Sequence, residues 1–358
     1  MKKVNSLLFL LFVLVSLNVN YAQEFSSSVT GVVLEEGTKA GIAGVNVFIS
    51  ETTWGTTTDK YGIYEIKNLP SGNHEIVVSI IGFEVATKNF NLEKGEKKNL
   101  DFLLKEKAYE LETIEVVSER PENWDNNLAI FKTYFLGQGE FASDCKILNE
   151  EQLSFDLGAY KELYASADRP LKVKNNALGY DIEIVLISFK WDPKQGRVQY
   201  SIKPKFEELI SDDKEQINRW NSNRKKAYFG SINHFFKCLK ENNFIENGYS
   251  VYLVPRLNRN PQFVAHLSNS IERSSQVLKP GVFPGEDILT FGDRLEIQYS
   301  PTASELNVSW LDLNYNEITL DQFSYPEEYM PFQMIGYWAK LGIADWLPKY
   351  YNASATIK

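Results

Sequence analysis

The sequence predicts a mainly β chain, in which an N-terminal β-sandwich is followed by an α+β domain dominated by antiparallel strands. Three observations carry this. Short alternating runs recur at close intervals over residues 28–105, the composition turns charged over 105–123, and after 124 extended runs are interrupted by only three helical stripes. With 43% hydrophobic and 24% charged residues the chain is neither disordered, collagenous nor a coiled coil. Its 358 residues leave room for two or three domains. Lys and Arg number 38 against 47 Asp and Glu, a net charge of -9, which disfavours a protein that neutralises phosphates, so no nucleic-acid partner is expected.

Residues 1–22 read as a secretory signal peptide: the basic pair Lys2-Lys3, an apolar run over 7–17, then a polar stretch ending Asn20-Tyr21-Ala22. The run is too short for roughly 30 Å of hydrocarbon, which needs about 20 residues. No later stretch is long and apolar enough, so no transmembrane segment is expected after cleavage. Export places the chain in the periplasm, at the outer membrane or outside the cell. In such a compartment Cys145 and Cys238 are a candidate disulfide, against the alternative of two separate buried thiols.

The sandwich is assigned to residues 23–106. Its strand candidates cover 29–34, 44–50, 62–66, 74–80 and 100–104. In Val45-Asn46-Val47-Phe48-Ile49 the apolar side chains alternate, and in Glu75-Ile76-Val77-Val78-Ser79-Ile80 they run on, as in strands covered on one face or on both. Glu36-Gly37, Lys60-Tyr61-Gly62, Pro70-Ser71-Gly72 and Lys94-Gly95 supply the turns.

Five motifs in this stretch carry a resemblance: Val29-Thr30-Gly31-Val32-Val33, Gly41-Ile42-Ala43-Gly44-Val45-Asn46-Val47, Gly55-Thr56-Thr57-Thr58-Asp59-Lys60-Tyr61-Gly62, Leu69-Pro70-Ser71-Gly72 and Ile80-Ile81-Gly82-Phe83. In this order they resemble the carboxypeptidase-regulatory-like domain. The resemblance implies a seven-stranded, prealbumin-like β-sandwich that folds and presents other domains and has no chemistry of its own. It does not imply a zinc carboxypeptidase. Such a site needs a histidine and a glutamate at close spacing plus a distant histidine. After His74, His234 and His266 the third residues are Val77, Lys237 and Asn269, so neither H-x-x-E nor H-E-x-x-H occurs and no metal or other cofactor is expected.

Residues 107–122 read as a linker ending Glu119-Arg120-Pro121-Glu122-Asn123. Within it Leu111-Glu112-Thr113-Ile114-Glu115-Val116-Val117 resembles the segment joining this module to the plug of TonB-dependent outer-membrane receptors, which makes a receptor accessory one expectation. The remaining residues are too few for a barrel of about 22 strands, each of roughly 9–11 residues.

The α+β domain is assigned to 123–350, with a tail at 351–358. Leu128, Phe131, Tyr134 and Phe135 form a helical stripe that Gly137 ends. Gly137-Gln138-Gly139-Glu140-Phe141-Ala142 matches a dinucleotide fingerprint, but here the glycines end a helix rather than begin one. Extended runs come next at 152–157, 160–166, 171–174, 181–191 and 196–203, the last two joined by a turn over 191–196. A helical stripe over 217–239 breaks at Gly230, strands resume at 249–254, 294–299, 305–311 and 317–320, and an aromatic helix is expected over 332–341. Phe135-Leu136-Gly137, Asn176-Ala177-Leu178-Gly179-Tyr180, Arg224-Lys225-Lys226-Ala227-Tyr228-Phe229-Gly230-Ser231 and Gly336-Tyr337-Trp338-Ala339 resemble a group of exported Gram-negative envelope proteins carrying the same sandwich.

For chemistry, Ser231, His234 and Cys238 share a helical face, which makes Ser231 and His234 weak candidates for a nucleophile and base. No third orienting group is evident, and Phe235, Phe236 and Leu239 favour core packing. Asp312-Leu313-Asn314-Tyr315-Asn316-Glu317 opens like a calcium loop but has Glu317 where glycine is required and Phe323 at the twelfth position. The aromatic residues fall mostly at core-periodic positions, which discounts a sugar-stacking platform. The expected function is therefore a non-catalytic envelope protein that presents its second domain to a protein or glycan, with a secreted hydrolase as the rival.

Overall fold

A computed structural model describes residues 27–107, 121–255, 269–283, 285–302, 304–328 and 330–353. The signal peptide, the segment 111–117, most of the linker and His266 lie outside the described residues.

Eight short strands build the sandwich: β1 (Ser27–Glu35), β2 (Asn46–Ile49), β3 (Gly55–Thr57), β4 (Ile63–Leu69), β5 (Gly72–Ser79), β6 (Ala86–Leu92), β7 (Lys97–Asn99) and β8 (Phe102–Leu104). One sheet runs β4-β1-β7 with β8 also on β1, the other β3-β2-β5-β6. Ser28 faces Lys97 and Val33 faces Phe102, so β7 and β8 keep one register on β1 and are a single interrupted strand. That gives the seven strand positions expected. At the break the Asp101 carboxylate accepts the Val32 N–H at 3.0 Å and the Leu100 carbonyl accepts from Tyr64 Oη at 2.6 Å. The Leu100 carbonyl occupies the space a Cβ on Gly31 would need, which accounts for the glycine in the first motif. Val29, Val47, Ile66, Ile76 and Phe102 fill the core between the sheets.

The chain beyond 123 builds two hydrophobic cores. In the first, α1 (Trp124–Phe135) lays Leu128, Phe131 and Phe135 on a six-stranded sheet of β9 (Cys145–Ile147), β10 (Leu153–Leu157), β11 (Leu163–Ala167), β12 (Leu171–Asn175), β13 (Tyr180–Asp192) and β14 (Arg197–Glu208). The long β13 pairs with β14 on one edge and shares its other edge between β12 and β11. Gly137 lies just past the end of α1 at φ 96°, packed so closely on Gly342 that no Cβ fits, and the next helical element is a single 3-10 turn (Ala142–Asp144). The dinucleotide geometry is absent there.

The stripe over 217–239 is two helices, α2 (Lys214–Tyr228) and α3 (Ile232–Lys240), separated at Gly230 with φ 84°. The second core packs Phe235, Phe236 and Leu239 of α3 against the sheet of β15 (Tyr249–Val254), β16 (Asn269–Ile271), β19 (Arg294–Thr302), β20 (Glu305–Leu313) and β22 (Phe332–Gly336). β17 (Leu278–Pro280), β18 (Asp287–Leu289) and β21 (Ile318–Leu320) form a smaller sheet. The helix expected over 332–341 is not formed. Residues 332–336 pair antiparallel with β20, and Gly336 at φ 81° closes the strand before one 3-10 turn (Trp338–Lys340). Pairing with an open sheet edge outweighs the helical spacing of Phe332, Ile335 and Trp338.

The last residues bind the three units together. Leu341 bridges to Gly137, Asn175 Nδ2 donates to the Ala344 carbonyl at 2.8 Å, Lys349 N donates to the Glu51 carbonyl at 2.7 Å, and Tyr350 packs on Trp54. Among the described residues no helix is long and apolar enough to cross a membrane.

Candidate functional site

Ser231 and His234 do not form a nucleophile and base. Ser231 is the N-cap of α3, its Oγ accepting the His234 N–H at 3.2 Å. The His234 ring is 4% exposed. Its Nδ1 receives the Gly230 N–H at 3.3 Å and the Tyr249 hydroxyl at 2.9 Å, so the ring proton sits on Nε2, 3.4 Å from Cys238 Sγ. Burial pushes the imidazole down to about 4 and the Cys238 thiol up to about 11, leaving both neutral. Tyr228, Phe229 and Tyr249 surround the ring. The cluster is a core contact.

Cys145 and Cys238 are free, buried thiols belonging to different cores, so the candidate disulfide is not formed. The calcium-like loop is closed by its own chain: Arg294 grips Asp312 with Nε to Oδ1 and Nη2 to Oδ2, each at 2.8 Å. Among the described residues no group of three potential ligands could hold a metal ion.

The aromatic and amide groups converge instead at the junction of the sandwich with the first core. There the sandwich turn after β2 pairs with β14: Glu51 N donates to the Pro204 carbonyl at 2.7 Å and Phe206 N to the Thr52 carbonyl at 2.9 Å. Glu51 takes φ 64° to make this contact. Beside it Lys203 Nζ meets both Glu75 oxygens at 2.6 and 2.8 Å, and Phe48, Val77 and Val185 share a buried apolar contact. Elsewhere on the sandwich Gln322 Nε2 donates to the Ser71 carbonyl, so the sandwich also touches the second core.

A cleft of about 550 Å³ opens over this junction. Tyr180, 1% exposed, forms part of its lining, with the Arg224 guanidinium 4.1 Å from the ring centroid. Arg224 is itself 4% exposed and donates to the Leu178 carbonyl at 2.7 Å, the Gly179 carbonyl at 3.0 Å and Glu208 at 3.0 Å. Trp220 fills the space a side chain at residue 179 would need, and Gly179 with φ 72° brings these carbonyls to the arginine. Trp54 is presented by a tight turn in which Thr52 Oγ1 accepts its N–H at 3.0 Å. Tyr350 lies 5.0 Å from Trp54 and is held by His74: the Pro70 carbonyl at 2.8 Å fixes the proton on Nε2, leaving Nδ1 to accept from the Tyr350 hydroxyl at 3.3 Å. Burial pushes His74 down to about 4, so it is a neutral orienting group. Tyr351 and, from α2, Asn218 and Asn221 also line the cleft. No hydrogen bond within the described residues engages the side chains of Asn218 or Asn221 or the Tyr180 hydroxyl. Burial holds that phenol well above its ordinary range, so it remains a neutral donor. Sequence reasoning missed these residues. The available signal was that Trp54, Tyr350 and Tyr351 belong to no periodic apolar pattern.

Residues 29–116 match the CarboxypepD_reg-like domain family. The sandwich is a carboxypeptidase-regulatory-like domain. Its match covers the stretch that carries the five sequence motifs. Among solved structures, a 5-hydroxyisourate hydrolase from Klebsiella pneumoniae is similar at 20% identity over 23% of this chain and 92% of its own, with a TM-score of 0.20. A cohesin–X-dockerin complex from Acetivibrio cellulolyticus aligns at 19% identity over 32% of this chain and 79% of its own, with a TM-score of 0.19. A Bacteroides uniformis protein named as a candidate carbohydrate-binding protein aligns at 10% identity over 87% of this chain and 99% of its own, with a TM-score of 0.20. No curated protein matches the chain.

Proposed function

We propose that this chain is a non-catalytic, exported envelope protein in which the carboxypeptidase-regulatory-like domain holds the two following units in place and presents the junction cleft to a protein or glycan partner. The observation that carries this is the clamp itself. Backbone pairing of Glu51 and Thr52 with Pro204 and Phe206, the Lys203–Glu75 ion pair and the returning segment around Lys349 join the sandwich to its neighbours. Such a junction suits a rigid display surface better than a tethered one. The rival hydrolase rests on Ser231 and His234, whose polar atoms are engaged inside the core.

Export by residues 1–22 puts the display surface in the periplasm, on the outer membrane or outside the cell. Cross-linking in intact cells is expected to trap a discrete protein or glycan, and mass spectrometry of the mature chain to find Gln23 at its start. A purified chain that turns over peptides or glycosides rapidly and captures nothing would contradict the reading.

A further inference from the structure

We infer that the junction cleft is a saccharide-binding site that takes neutral pyranose units against Tyr351 and Trp54, with their hydroxyls read by Asn218 and Asn221. The inference rests on the non-catalytic binding reading and names the chemistry of its ligand. A pyranose presents an apolar C–H face and a rim of hydroxyls, each both donor and acceptor. It therefore needs aromatic surface beside fixed groups of mixed hydrogen-bonding character. The cleft supplies both. Trp54 and Tyr351 are half-buried, and neither belongs to the fully buried cores.

The amides of Asn218 and Asn221 offer donors and acceptors that nothing among the described residues engages, and the Tyr180 hydroxyl adds a donor that is equally unengaged there. Charge points the same way. Glu208 sits 3.0 Å from Arg224 and balances it, leaving Lys225 as the one further ionic side chain lining the cleft among the described residues, so no concentrated field selects an anion. A volume of about 550 Å³ falls within the roughly 300–1,000 Å³ of small-molecule sites and admits a short oligosaccharide.

The test titrates the purified chain calorimetrically with maltotetraose, cellotetraose, xylotetraose, laminaritetraose and mannotetraose, and with tetragalacturonate as the charged counterpart. At least one neutral probe is expected to bind saturably. Tyr351→Ala should weaken it roughly tenfold and Asn221→Ala roughly fivefold, with cooperative unfolding kept in both, because the two residues are half-buried and belong to none of the hydrophobic cores. Binding of tetragalacturonate alone, binding by no probe, or neutral binding indifferent to both variants would overturn the inference. If no saccharide binds but a protein is cross-linked in cells, the inference falls and the proposed function stands. Cleavage of a bound probe would remove the proposed function and leave the site.

Discussion

The His234 cluster and the junction cleft are made of the same materials, aromatic rings with a few polar atoms, yet they differ in what those atoms do. Around His234 the imidazole nitrogens, the Ser231 hydroxyl and the Tyr249 hydroxyl are all engaged within the chain. In the cleft Asn218, Asn221 and the Tyr180 hydroxyl are engaged by nothing among the described residues. Residue identity alone makes the first look like chemistry and the second like packing. The engagement of the polar atoms reverses that ranking.

Stability variants separate the roles of the polar groups in the two clusters. The largest effect is expected at Arg224, whose removal leaves two backbone carbonyls and the Tyr180 ring without their cation. Arg224→Ala should cost about 2–4 kcal/mol in chemical denaturation. Glu208→Ala, on the exposed side of the same pair, should cost under about 1 kcal/mol. Equal losses would mean that the ion pair, not the buried fork, holds the cleft.

His234→Ala should cost about 2–3 kcal/mol and leave partner capture unchanged. Lost capture in a folded variant would return His234 to the functional site. At the clamp, Lys203→Ala should cost about 1 kcal/mol and speed limited proteolysis between the sandwich and the first core. An unchanged cleavage pattern would show that the backbone pairing alone is enough.

The two buried histidines also predict an acid response. In the unfolded chain His74 takes up a proton near 6.5, whereas the folded chain resists until about 4, so stability falls as pH drops through that window. Asp345, raised to about 6 by burial, and Glu51, raised also by burial, act in the opposite sense. Comparing His74→Gln with the parent isolates the histidine. The variant's acid-side loss should be smaller by on the order of 1 kcal/mol at pH 5. The smallest effect is expected from reductant, which should leave the melting temperature unchanged because Cys145 and Cys238 are already free.

Much of the fold was legible because local signals and tertiary structure agree. The five glycine-bearing motifs locate the sandwich, and Gly31, Gly62 and Gly137 stand where backbone or φ leaves no room for a side chain. The break at Gly230 divides α2 from α3 as its position suggests. Misreadings arose where long-range pairing decides. Residues 332–336 carry helical spacing but complete a sheet edge on β20. The cleft was illegible for the same reason. Trp54, Tyr180, Asn221 and Tyr351 meet through the pairing of the sandwich turn with β14 and the return of residues 349–350 to that turn, and no sequence period records those contacts.

The proposed function requires that the chain meet its partner at the junction cleft and not at the Ser231–His234 face. A photo-crosslinking side chain placed at residue 351 in one variant and at residue 231 in another, each expressed in intact cells, tests it directly. An adduct from position 351 and none from 231 is the predicted result. An adduct from 231, or silence at 351 in a folded and exported variant, would contradict it.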